Sequence, residues 1–197
     1  MVYKREKTSP DQLKRGFSRP KRPTCLIVCE GHTEEEYFLI VSGRFTNVTI
    51  KKRTCPVQLV DYAIEEIKDY DSVICVFDKE SHPPRVKKFE QAKTKFETKL
   101  EKAAKNDKKT IIGAWSIPCF EVWSLCHVHC TTKPFMNKQD VENALIEQGF
   151  KKQDWRDDNK QKTAILNAKK LCDFHHDGNP STRVHLAVEH LKTLLET

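Results

Sequence analysis

TCLIVCEGHTEEEYFLIVSG (24–43) decides how this chain folds. Its first part is a short apolar run, closed by Glu30 and broken by Gly31, as a buried strand would be. Its second part carries Thr33 three residues before Glu36, the spacing of a capping box, and predicts a helix over 33–43. Working outward, NVTIKKR (47–53) reads as a second strand whose lysines mark it as edge-like. Pro56 suits the first position of a helix. Leu59, Val60, Ala63, Ile64 and Ile67 then recur at helical spacing. SVICVFD (72–78) is β-branched, apolar and ended by charge, the composition of a strand buried on both faces.

The pattern continues downstream. His82-Pro83-Pro84 reads as a loop before a long charged helix over 85–105, with Phe89, Ala92, Phe96, Leu100 and Ala103 as its buried stripe. KTIIGAWSI (109–117) reads as a fourth strand. Helices are expected at 119–129, 138–148, 160–174 and 180–195, the last with Asn179 as N-cap and Pro180 in its first position. Strand–helix alternation of this kind predicts an α/β fold: a mostly parallel four-stranded sheet with right-handed crossovers, flanked by helices, and a helical C-terminal part. The organisation expected is a basic flexible arm over 1–23, an α/β core over 24–130 and a helical extension over 131–197 packed on that core.

Composition bounds the class. The chain has 197 residues, 38% hydrophobic and 32% charged, which is polar but globular. No run of about 18 apolar residues exists to span a membrane. The basic N-terminus lacks the apolar segment of a secretory signal, so a cytoplasmic location is expected. Most of the eight cysteines sit in strand-like runs and read as reduced core residues rather than disulfides.

Charge is uneven. Residues 1–23 hold eight Lys or Arg against two acids, and residues 84–110 hold ten against four. The rest is slightly acidic. Basic segments beside an acidic remainder suit a polyanion such as nucleic acid, although a solubilising tail and a solvated helix face would read the same way.

Open α/β sheets place their sites at the carboxyl ends of strands. Glu30 ends the first strand and Asp78 the third. Glu80 would point the same way as Asp78 if the chain stayed extended. Three clustered carboxylates require protons, basic partners or a hard cation, and an oxygen-only set favours Mg²⁺ or Mn²⁺. Taken singly, each is as well explained by a solvated acid at a strand or helix end.

LIVCEGHTEEEYF (26–38) and VFDKE (76–80) resemble the Toprim domain. With SIPCFEVWSLCH (116–127) and NPSTRVHLAVEHL (179–191), four blocks in order, the chain resembles more closely the RloB-like family, found beside restriction and phage-defence genes. That resemblance implies a Mg²⁺- or Mn²⁺-dependent nuclease in anti-phage defence. Glu30 would be general base or acid and a possible metal contact, and Asp78 a metal ligand. Glu80 stands where the usual pattern has aspartate. Ile117 replaces the usual asparagine of the proline block, a change expected to loosen a turn there. Glu121 in that block is a plausible fourth acid.

Lys79, Arg85, Lys87, Lys88 and Arg183 are candidate phosphate contacts. Glu34, Glu35 and Glu36 read chiefly as helix-start acids, and Phe120, Trp123 and His127 chiefly as core. Cys126, Cys130 and Cys172 with nearby histidines form a weak zinc pattern. No G-x-S-x-G elbow or G-x-x-x-x-G-K-[ST] loop is present, so any ATP hydrolysis would fall to a separate ATPase partner. The alternative function is a non-catalytic nucleic-acid-binding or adaptor subunit of a defence complex.

Overall fold

Cys25–Cys29 (β1) is buried along its whole length because it is paired on both edges and covered on both faces. It runs parallel to Val48–Lys52 (β2) on one side and to Ser72–Val76 (β3) on the other. Thr110–Gly113 (β4) extends the sheet beyond β3, again parallel, giving the order β2-β1-β3-β4. The computed structural model describes residues 22–43, 47–176 and 178–196; the basic arm expected over 1–23 lies almost entirely outside them. The α/β architecture is the one expected, with the lysines of β2 exposed at the sheet edge.

Side-chain alternation divides the interior into two cores. Cys25, Ile27 and Cys29 of β1, with Ile74 and Val76 of β3, pack against Tyr37 and Phe38 of helix α1 (His32–Ser42). The later helices complete that layer. Leu26, Val28, Val73, Cys75 and Phe77 face the other way, onto Leu59 and Val60 of helix α2 (Pro56–Glu66) and Phe89 and Ala92 of helix α3 (Pro83–Lys95). After α3 the chain passes through a π-turn, Phe96–Leu100, into α4 (Glu101–Asp107).

The helix expected over 85–105 thus begins two residues earlier. Pro83 and Pro84 fit its first turn, where no backbone N–H is needed. The π-turn advances the phase by one residue, so Ala104 rather than Ala103 becomes fully buried.

Three further local expectations are corrected. The capping box does not form: Gly31 is the N-cap of α1, and Glu36 pairs with Lys152. The run 109–117 is two strands: β4 ends at Gly113, and Ser116–Ile117 (β5) pairs antiparallel with Ser181–Thr182 (β6) while Ser116 stays bridged to Asp78. Asn179 is not a helix cap. The Asn179–Pro180 bond is cis, and the Asn179 amide clasps the backbone of Phe135 through Nδ2–H to O at 2.6 Å and N–H to Oδ1 at 3.2 Å. The last helix, α8, starts only at Val184 and ends at Glu196.

Helices α5 (Glu121–Cys126), α6 (Lys138–Glu147) and α7 (Asp158–His175) join α8 over the α1 face. One hydrophobic cluster contains Trp123 as well as Val141, Ala164 and Val188, so residues on both sides of position 130 share it. Ile117 precedes a second cis proline, Pro118, and is buried in β5. No disulfide joins the described cysteines. Among the described residues no helix is long and apolar enough to cross a membrane.

Candidate functional site

The parity that separates the two cores also aims the strand-end acids. In β1 the even positions face α2 and α3, so Glu30 leaves the sheet on that side. In β3 the even positions face α1 and α5, so Asp78 leaves on the opposite side. The two still meet: Glu30 N–H donates to Val76 O at 3.0 Å, and Asp78 N–H to Glu30 Oε2 at 3.4 Å.

Asp78 is fastened by its surroundings. It bridges to Ser116, while Phe120 N–H donates to its Oδ2 at 2.9 Å. The residue is partly exposed, yet its Oδ1 is shielded from solvent without a hydrogen-bond partner. Burial pushes the Asp78 carboxyl well up, and the carboxylates of Glu34, Glu121 and Glu30 push it further. Burial likewise raises Glu30 to about 7, against the lowering influence of Arg85 and of the Asp78 N–H. Glu34 is raised by its own burial and by Glu121, partly offset by Lys138.

Glu34, expected chiefly as a helix-start acid, lies near Asp78 and Glu121, and its place in the sequence carries a signal for this. It stands three and four residues before Tyr37 and Phe38, on the buried face of α1, and helix side chains lean toward the amino end. Gly31 leaves room for it: a Cβ there would collide with the Glu34 carboxylate. Glu35 and Glu36 point elsewhere, to Lys52 and Lys152.

Glu121 is 7% exposed at the start of α5, and its Oε2 is also buried without a partner. Its Oε1 pairs with Lys138 Nζ at 2.6 Å, a cation that nothing in the local sequence announces. Cys119, at 2% exposure, sits beside Asp78 and Glu121.

Glu80 lies two residues past the Asp78–Ser116 bridge, just after Lys79, whose N–H donates to Ser116 O at 2.9 Å. Glu80 joins the site through Arg85. The guanidinium spans Glu30 Oε1 at 2.8 Å from Nη1 and Glu80 Oε1 at 2.9 Å from Nη2.

The other basic candidates lie around the α3 side. Lys79 has odd parity in β3 and points to α3, pairing with Glu90 at 2.6 Å. Arg183 and Lys93 cover the Trp115 ring at 4.4 and 5.1 Å. Lys87 and Lys88 are exposed.

Phe120 and Trp123 are core, packed with Tyr37. His127 is buried too: its Nδ1 contacts Trp123 O at 3.0 Å, its Nε2 has no partner, and burial lowers its pKa to about 4. Cys172 contacts Thr182 O rather than closing a zinc set.

The acid cluster offers hard oxygen donors, two of them buried and unpartnered, which is the donor chemistry of Mg²⁺ or Mn²⁺. Its spacing is not that of a closed coordination shell. Among the described residues no three His, Cys, Asp or Glu side chains stand so as to hold one metal ion.

A family model described as RloB-like protein matches residues 25–191. No curated protein and no solved structure matches the chain.

Proposed function

The chain belongs to the RloB-like family, and from that premise we propose that it is a metal-dependent nuclease hydrolysing nucleic-acid phosphodiesters in anti-phage defence. One observation carries the reading: Asp78 and Glu121 each bury a carboxylate oxygen with no partner, at the carboxyl edge of a parallel sheet. A buried acceptor left unpaired is costly, which argues for a ligand that the site is built to take.

Asp78 and Glu121, each with an unpartnered buried oxygen, are the acids that would hold a Mg²⁺ or Mn²⁺ ion, with Glu34 and Glu30 beside them. Such an ion supplies Lewis-acid polarisation of a phosphate oxygen and a more acidic water. Glu30 holds or releases a proton at its carboxylate, where Asp78 N–H and Arg85 orient it. Arg85, Lys87 and Lys88 on α3, with Arg183, are the basic residues that would take the phosphates of the substrate.

The test is cleavage of DNA and RNA by purified protein with Mg²⁺ or Mn²⁺. Asp78→Asn and Glu30→Gln are expected to abolish cutting while the circular dichroism spectrum stays unchanged. Full cleavage by either variant refutes the assignment. A second reading, a nucleic-acid-binding or adaptor subunit, is favoured by the absence of a preformed three-ligand set among the described residues. It predicts salt-sensitive binding with no turnover under any metal.

A further inference from the structure

Helix α3 starts at the acid site, where Arg85 of its first turn reaches Glu30. Beyond Arg85, the outer face of α3 and of the π-turn that follows forms an open trough of about 580 Å³. Lys87, Gln91, Thr94, Lys95, Thr98 and Lys99 line it, at the three- and four-residue spacing of one helix face. Glu90 also borders the trough, but Lys79 holds it at 2.6 Å. Lys95 is held by Asp61 of α2 at 2.5 Å, and the Thr98 hydroxyl donates to Thr94 O at 2.7 Å. Lys87, Gln91, Thr94 and Lys99 are exposed, and their side chains make no hydrogen bond or ion pair among the described residues.

We infer that this trough docks the phosphate backbone of a duplex nucleic acid, without regard to base sequence. The inference rests on the nucleic-acid part of the proposed function and on no metal ion. Three features support it. First, the unpartnered groups are ammonium, amide and hydroxyl, the donors that take phosphate oxygens. Second, the uncompensated cations are spread along the trough rather than clustered. Lys87 and Lys99 stand twelve residues apart, which is roughly 18 Å of helix, or about five base-pair steps of a duplex. Lys88 and Lys102, both exposed, flank that line. Third, the surface has no ring to stack on. Phe89 and Phe96 are the aromatic residues of 83–107, and both are buried in the core. Single-strand grooves depend on base–aromatic stacking. Charge and donors without a ring suit a strand whose bases are already stacked inside a duplex.

The experiment is fluorescence anisotropy of the full chain in a chelator, with labelled duplex DNA, duplex RNA and a single strand of the same sequence. Wild type is expected to bind at least one of the duplexes about fivefold or more tightly than the single strand. A scrambled duplex should bind within about twofold of the original. Lys99→Ala and Gln91→Glu should each weaken duplex binding by about fivefold, and Lys99→Ala should reduce the salt slope by about 0.9. Lys170→Ala, on the exposed face of α7, lowers the net charge by the same amount as either variant. It should leave affinity within about twofold, separating a local track from bulk electrostatics.

Single-strand binding as tight as that of both duplexes overturns the proposal, as does an equal loss in Lys170→Ala. Duplex binding that neither Lys99→Ala nor Gln91→Glu weakens also overturns it, while leaving the nucleic-acid reading in place. Absence of binding to every nucleic acid at low salt overturns both.

Discussion

The two faces of the sheet supply opposite halves of the same site. The α1 and α5 face contributes Glu34 and Glu121 from helix starts that sit on a rigid aromatic core of Tyr37, Phe120 and Trp123. The α3 face contributes Arg85, Lys79 and the exposed lysines of a helix whose core stripe is thin. Acids are thus anchored by packing, whereas the cations are carried on long, partly solvated side chains. The fixed partner of this chemistry is therefore the carboxylate set. The mobile partner is the basic side, which can trade one anion for another.

That contrast can be broken most sharply through stability. His127 lies buried and neutral among the aromatic residues of the α1 face. Its folded pKa is depressed, so its contribution is present above its ordinary value near 6.5 and is lost as pH falls toward about 4. Between neutral pH and about pH 5, wild type should lose about 2 kcal/mol more than His127→Phe in urea unfolding. Parallel pH profiles for the two would show that the aromatic core does not hold a neutral imidazole.

The next test separates acids by face. Glu34→Gln should lower metal-dependent cleavage by about 10- to 100-fold, as loss of a metal-site contact does. Glu80→Gln, outside the cluster and paired with Arg85, should change it by less than about threefold, the scale of an exposed ion pair. Reversed magnitudes would put the metal on the α3 face.

The smallest effect belongs to the basic side alone. Lys87→Ala with Lys88→Ala should weaken nucleic-acid binding evenly across sequences. It should also reduce the salt slope by about 1.4 to 1.8, two phosphate contacts' worth. Fluorescence anisotropy at several salt concentrations reads this directly, and an unchanged slope would remove these lysines from the interface.

Much of this was legible in the chain. Continuous apolar runs in 24–30 and 72–78 marked β1 and β3, because a strand covered on both faces carries no polar side, and the Gly31 break with the Thr33–Glu36 spacing marked the start of α1. The same patterns put Glu30 and Asp78 at strand ends. Glu34 was legible as well, from its spacing to Tyr37 and Phe38, but local dipole arguments masked it. The link of Glu80 to Glu30 through Arg85 has no local signal, because Arg85 comes from the next helix and bridges residues fifty positions apart. The NPST segment reads as a helix cap to any local rule, yet it forms a strand because Ser116 and Ile117 pair with it.

Residue types alone marked the strand-like runs of the parallel sheet and the acids that close β1 and β3, since a strand buried on both faces must be apolar throughout and a charge ends it. The packing of whole elements set Arg85 and Lys138 among those acids, and tied Glu80 to Glu30 through Arg85. Contacts between residues 17 to 55 positions apart leave no periodic trace, being selected by where whole elements pack rather than by any neighbour in the chain.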